Sequence, residues 1–401
     1  MRETDSSSFR RVLCTAAIFS VLAVALVISS AETALAQANP ALQASVKETR
    51  HSEAVAPGVE HIVLRRGDFS TTAETERWTI NMLVLDPQKI KLSLGRALDE
   101  GVGTETPSSM ASRYDALAAI NGGYFRTAGL YKGDPVGIIE VSGRVLSEPE
   151  RKRPGLAVAD VEGGVRAVPV VVDFKAEIAA ENGSSHAIHG INCPRGKDEL
   201  ILFTPDFHRT TLTNPDGVEA VVVNGMATVV RDGEGSATIP EGGYVLSASG
   251  EAGNWLREHV RAGRTVALKT AAAARPDPGF APDFVIGGGP LLVRGGKPAA
   301  ASDRGAYDEG FSLKRHPRTA VGVRADGRLI LVTVDGRQPL ISVGMAIAEL
   351  EALMIEFGSV EAINLDGGGS TTMVVRGRVV NSPSDASGER PVNDALLVFL
   401  R

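Results

Sequence analysis

From residue 61 onward the chain is built of short apolar runs with polar punctuation. The segments 61-HIVLRR-66, 78-WTINMLVLD-86, 117-LAAIN-121, 136-VGIIEVSGRVL-146, 165-VRAVPVVVDF-174, 200-LILFTP-205, 218-VEAVVVNGMATVV-230 and 328-RLILVTVDGR-337 are rich in β-branched residues and bounded by Gly, Pro and Asp. This pattern predicts strands, most of them in hairpins, with Gly143-Arg144 and Gly225-Met226 at turn centres. A 3.6-residue period is rarer. It predicts helices over 106–116, over 251–263 with Gly263 as the stop, and over 341–359, where Ser342 caps, Leu350, Leu353, Met354 and Phe357 form the apolar stripe and Gly358 ends the helix. Glu140, on the strand 136–143, reads as a solvent-facing charge. No internal repeat at a fixed period is visible. The expected fold class is α+β, a strand-rich mixed-sheet domain over 61–401 with a few helices.

The first sixty residues follow a different pattern. Arg10 and Arg11 precede the apolar run 12-VLCTAAIFSVLAVALVIS-29, and 34-ALA-36 offers small residues for cleavage, which predicts a signal peptide over 1–36 and an exported protein, periplasmic or secreted. The alternative is a retained anchor, since a run of about 18 residues can just span a bilayer. The membrane would then be touched only through this segment. Arg10-Arg11 hints at a twin-arginine signal, although its flanks fit poorly. Residues 37–60 are small and polar and read as a flexible spacer. Removal of 1–36 leaves Cys193 as the lone cysteine, so burial and not a disulfide must hold the domain together.

Composition narrows the function classes. A chain of 401 residues that is 43% hydrophobic and 22% charged can bury a sizeable core. A net charge of −6, with no basic run beyond pieces such as 150-ERKRP-154, argues against nucleic acid. Oligomeric state is not legible in the pattern.

Candidate chemistry sits where strands end in glycine. In 364-NLDGGGSTTM-373 an apolar strand ends at Asp366, followed by Gly367, Gly368 and Gly369 and then by Ser370, Thr371 and Thr372. Three glycines allow close backbone approach and an anion-binding concavity, and the hydroxyls add donors. The stretch 119-AINGGYF-125 repeats the device with Asn121, Gly122 and Gly123, and Tyr124 and Phe125 could form a sugar-stacking wall. The stretch 284-FVIGGGPLLVRGG-296 repeats it with Gly288 and Gly289. A tight turn capped by Asp366 is the plain reading of one elbow; three in one domain favour a cleft. No Gly-Lys-Ser/Thr follows, which disfavours a nucleotide phosphate loop. His186, His189 and Cys193 lack the further ligands a zinc site needs. No metal or cofactor is required by the sequence, and calcium held by Asp366 and backbone oxygens stays open.

These residues together resemble the phosphodiester glycosidase family: NGGYF, 315-RHPRTAVGV-323, NLDGGGSTTM, the closing 391-PVNDALLVF-399, and the segments 133–149 and 190–214. The resemblance covers about residues 75–400. It implies an α+β domain that hydrolyses the bond between a sugar's anomeric carbon and a phosphodiester oxygen, with a carbohydrate or glycosyl phosphate as partner. Its motifs also bring Thr319 and Asn393 into the candidate substrate-binding set. The chain lacks the cysteine-rich modules of mammalian members.

The chemistry also follows from the residues. A phosphodiester is an excellent leaving group, so a carboxylate near the anomeric carbon and cationic donors around the phosphate matter most. Asp366 is the first expectation for the carboxylate, and Asp335 in 332-VTVDGRQ-338 the second, with a turn-forming Asp-Gly as its alternative. Arg318 supplies a planar fork for phosphate or, alternatively, a buried structural ion pair, and His316 a proton or hydrogen bond. Cleavage of ordinary glycosidic bonds in exopolysaccharide and non-catalytic glycan binding are the competing functions.

Overall fold

In the computed structural model the described residues are 47–73, 75–148, 153–305, 307 and 309–401; the expected signal segment and residues 37–46 of the spacer lie outside them. Among the described residues the chain forms sheets of eight, seven, five and five strands, and helices over Pro107–Arg113, Gly250–His259, Glu309–Leu313 and Ile347–Glu356. The mixed-sheet expectation is met in one five-stranded sheet. There are several sheets, and almost every strand pair is antiparallel, with Gly190–Ile191 beside Leu200–Phe203 as a parallel pair. The spacer is corrected from residue 48 onward: Glu48–Ala56 is the edge strand of the eight-stranded sheet, beside Val59–Gly67.

The centre of that sheet explains the longest apolar runs. Leu329–Val334 lies between Arg77–Leu85 and Arg318–Arg324, and all six of its residues are buried. Leu329 and Leu331 join one core while Ile330, Val332 and Val334 join another, because successive side chains point to opposite faces and both faces are covered. The first core is shared with Ile120, Leu396 and Val398 of a five-stranded sheet and with Ile139, Leu156 and Ile286 of the seven-stranded one. The second is capped by Leu350, Leu353 and Met354 of the helix Ile347–Glu356. Glu140 is likewise buried and not solvent-facing, because its strand is an interior member of the seven-stranded sheet, and burial raises its pKa.

Two local expectations shift. The hairpin centres are Ser142-Gly143 and Asn224-Gly225, one residue earlier than the pattern suggested; all four residues have positive φ, as a type I′ turn requires. The helix expected over 341–359 begins only at Ile347, since the Ser342 hydroxyl donates to the Asp335 carbonyl at 2.6 Å. The Ala346 N–H is instead taken by the Glu349 carboxylate at 2.8 Å, the side-chain half of a capping box.

The glycine elbows are crossings between sheets. Residues 287–290 carry the chain from Phe284–Gly287 in the seven-stranded sheet to Leu291–Arg294 in the eight-stranded one. Residues 365–372 carry it from Ser359–Asn364 in the eight-stranded sheet to Met373–Val375 in a five-stranded one, where it pairs with Ala118–Asn121, the strand that ends in the first elbow.

Candidate active site at three glycine elbows

At these crossings the backbones lock together. The Asp366 N–H donates to the Gly122 carbonyl at 3.0 Å, and the Asn121 amide donates to the Asp366 carbonyl at 2.7 Å. Asn121 Oδ1 in turn accepts from the Thr319 hydroxyl at 2.7 Å and the Thr372 N–H at 3.1 Å. The Gly289 N–H donates to the Asn364 carbonyl at 2.6 Å, and the Tyr124 hydroxyl donates to the Gly289 carbonyl at 2.7 Å. A Cβ on Gly122 would overlap the Asp394 carboxylate, and one on Gly288 would lie 2.8 Å from the Asn364 carbonyl oxygen. Glycine is needed at both positions for close approach.

This locking reassigns much of the expected substrate set. Asn121, Gly122, Gly123, Gly288, Gly289, Thr319 and Thr371 are buried and largely bonded to one another, so they are framework. Phe125 packs in a core with Met110, Ala111 and Val374 and offers no sugar wall. Tyr124 is half-buried, its ring 6.3 Å from Tyr307 and 6.2 Å from Phe311. Asn393 is buried, and its amide donates to the Gly133 carbonyl.

The elbow at 366–370 is the one that opens. Asp366, Gly367 and Gly368 are only half-buried. The Gly367 N–H donates to Asp366 Oδ1 at 2.9 Å. Burial pushes the Asp366 carboxyl up to about 6, opposed by the Ser370 hydroxyl, the Gly367 N–H and the positive charges of Arg390 and Arg337. Gly368 has φ +62°, and a Cβ there would meet Arg337 Nη2 at 2.9 Å, while one on Gly369 would overlap the Arg390 guanidinium and Asp385. His316 Nδ1 lies 3.4 Å from Arg337 Nη2. Burial and the charges of Arg318, Arg337 and Lys314 lower the His316 pKa, so at neutral pH the ring is uncharged and Nδ1 can accept from Arg337. A carboxylate that is partly protonated near pH 6, a neutral imidazole and two guanidiniums thus gather around one glycine loop.

Two catalytic expectations change. Arg318 is 1% exposed; its Nε donates to the Met345 carbonyl at 2.8 Å and its Nη2 to the Phe311 and Lys314 carbonyls at 2.9 and 3.0 Å. It stacks 4.7 Å over the Phe311 ring, and burial lowers its pKa to about 10. Its Nε and Nη2 are thus committed to backbone carbonyls, which gives it a structural role. Asp335 is also 1% exposed; its Oδ1 accepts from the Asn381 amide at 3.1 Å and the Ser382 N–H at 2.9 Å, so it anchors the loop after residue 380, and burial pushes it up to about 6.

The acid whose titration feels Asp366 is Asp394. It accepts from the Gly123 N–H at 2.7 Å, and burial with the neighbouring Asp366 charge pushes it up to about 7. Asp394, Arg337 and Arg390 were not picked out from the sequence. Asp394 stands beside Asn393 in the closing motif, and Arg337 ends the Asp335-Gly336 turn; those placements were the available signals. Arg390, in 388-GERP-391, carried none. Elsewhere, the His186 and His189 rings are 5.6 Å apart, and His189 Nδ1 is occupied by the Leu200 N–H at 3.0 Å. Burial, with a hydrogen bond to Glu148, pushes the Cys193 thiol far up. Among the described residues no group of three or more His, Cys, Asp or Glu side chains is placed to hold a metal.

Part of the chain is similar to known proteins. Residues 216–399 match the model of the phosphodiester glycosidase family. The chain is 43% identical over 68 residues to the N-acetylglucosamine-1-phosphodiester alpha-N-acetylglucosaminidase of Bos taurus, which is 17% of this chain and 12% of that protein. It is 40% identical over 107 residues to the SPbeta prophage-derived uncharacterized protein YomE of Bacillus subtilis, 27% of this chain and 16% of that one. The chain therefore spans less than a fifth of these relatives' length. A solved structure from Burkholderia pseudomallei, described as an exported protein, superposes with TM-score 0.76 at 25% identity, over 89% of this chain and 97% of that one. No helix among the described residues is long and apolar enough to cross a membrane. The segment 216–399, which holds Asp366, Arg337 and Arg390, matches the phosphodiester glycosidase family, as the motifs imply.

Proposed function

We propose that this protein is an exported hydrolase that cleaves the anomeric bond of a sugar-1-phosphodiester, of the N-acetylglucosamine type or a related envelope glycan. The observation that carries the reading is a half-buried carboxylate, Asp366, on a glycine loop flanked by Arg337 and Arg390. The two guanidiniums would hold the phosphodiester and stabilise the charge that grows on it as the bond breaks. Asp366, once ionised, would stand against the positive charge developing at the anomeric carbon, and neutral His316 would orient Arg337. Hydrolysis consumes water alone, so the reaction as drawn calls for no cofactor. The apolar run at 12–29 and the exported Burkholderia neighbour support export to the periplasm or the medium.

The test is a panel of sugar-1-phosphodiesters, with product anomers followed by NMR, on wild type and Asp366→Asn. The substitution should lower kcat by about 10³-fold while leaving saccharide affinity within about tenfold. Because Asp366 must be ionised, kcat/KM should rise with pH through about 6. Glycan binding without sugar release from any member of the panel would replace the hydrolase with a recognition domain. Equal turnover of phosphate-free glycosides would move it to ordinary glycosidic bonds.

A further inference from the structure

One of the two arginines at the open elbow already holds an anion. Arg390 Nε donates to Asp385 Oδ2 at 2.7 Å and its Nη2 to Asp385 Oδ1 at 3.0 Å, a two-pronged pair formed within a single loop. Both side chains are about one-third exposed or less, and both lie against Gly369, where a Cβ would overlap Arg390 Nη2 and Asp385 Oδ1. The carboxylate therefore sits on the guanidinium edge that faces the glycine loop.

The loop is fastened at its two ends. Ser382 is held by Asp335 and by Gln338, whose Oε1 accepts from the Ser382 hydroxyl at 2.9 Å. Glu389 accepts from the Ser108 N–H at 2.7 Å and the Ser108 hydroxyl at 2.5 Å, at the start of the helix Pro107–Arg113. Between these anchors the turn closes on one backbone bond, Gly388 N–H to the Asp385 carbonyl at 2.9 Å, and Ala386 and Ser387 are exposed. The Asp385 side chain takes part in neither anchor.

We propose that Asp385 is a resident anion that occupies the phosphate-binding edge of Arg390 and sets the charge preference of the site: a phosphodiester enters by displacing it, and a neutral ligand does not. This rests on the placement of phosphate at Arg390 in the proposed function. A carboxylate and a phosphodiester each bear one negative charge and two oxygens in reach of a guanidinium fork, so the exchange leaves Arg390 paired while the freed Asp385 carboxylate turns to solvent. A partly exposed ion pair is weak, which in affinity terms is a competition of about two- to fivefold.

The test is calorimetric titration with dimethyl phosphate, a phosphodiester with no sugar, of wild type, Asp385→Asn, Arg390→Gln and the double variant, each checked for an unchanged melting temperature. Asp385→Asn should bind about two- to fivefold tighter, Arg390→Gln weaker, and the double variant no better than Arg390→Gln. Unchanged or weaker binding by Asp385→Asn would overturn the proposal, as would a gain that persists without Arg390. Should Asp385→Asn melt early, Asp385→Ser is titrated in its place with the same expectation. Because the readout is binding and not turnover, a protein that hydrolyses no glycosyl phosphodiester can still show or refute this competition.

Discussion

The elbows at 121–123 and 366–370 share a sequence signature and do opposite things. At Gly122 the glycine lets a backbone press against a buried carboxylate, and the Asn121 amide beside it is bonded to Asp366, Thr319 and Thr372 of the neighbouring crossings. At Gly368 the glycine keeps a side chain out of a half-open space between guanidiniums. Glycine at a strand end therefore marks a close approach; whether the approaching partner is the protein itself or a ligand depends on what surrounds it, and here that is decided by Arg337 and Arg390.

The comparison can be tested most severely at Arg318, which the structure assigns to the closed side. Arg318→Ala should cost about 3–5 kcal/mol in denaturant unfolding, since three backbone carbonyls lose their donor and the Phe311 ring loses its cover. A stable Arg318→Ala that instead loses activity only on phosphorylated substrates would return this residue to the open site. Next in size, Gly122→Ala should cost about 2–4 kcal/mol, because its Cβ would overlap both the Asp394 carboxylate and Ile286.

Arg337→Ala should behave in the reverse sense. The residue is exposed, so its melting temperature should hardly move, while kcat/KM on a sugar-1-phosphodiester falls about 10²-fold and Arg337→Lys restores little of it. Asp394→Asn sharpens the contrast through pH. The folded-state carboxyl titrates near 7, above its ordinary value of 3.8, so the native state holds the proton more tightly and stability from this group declines as pH rises between about 4 and 7. Asparagine keeps an acceptor for the Gly123 N–H and carries no charge. The variant should gain about 1–2 kcal/mol over wild type at pH 8 and nothing at pH 4, measured by urea unfolding at both values. The smallest effect belongs to Gly368→Ala, about 1 kcal/mol of stability for a positive φ, accompanied by a larger relative loss in activity. Full kcat/KM in a folded Gly368→Ala would make the open elbow a turn and nothing more.

Much of this was legible because strand pattern and glycine spacing are local. The buried strand at 329–334, the helix at 250–259 and the elbow at Asp366 all follow from residues adjacent in the chain. Arg318 was misread because its type suggested phosphate, while its surroundings come from Phe311, Lys314 and Met345 across a fold the sequence does not display. Asp394 has no local signal that sets it apart from Asn393, its neighbour in the closing motif; the hydrogen bonds show which of them faces the elbows, since Asp394 accepts from the Gly123 N–H and Asn393 donates to the Gly133 carbonyl. The early start assigned to the helix at 347 failed for the same reason, since Ser342 is claimed by Asp335.

The interlocked crossings also bear on modularity. The stretch recognisable by similarity, 216–399, is not a unit that can be inherited or transplanted alone, because Asp366 hangs from Gly122 and Asn121, some 245 positions earlier in the chain. The Tyr124 hydroxyl reaches Asn364 over a separation of 240. Duplicating or grafting the recognisable half would carry the acid and its arginines without the strand end that aims them, so exchange of this site calls for the whole domain.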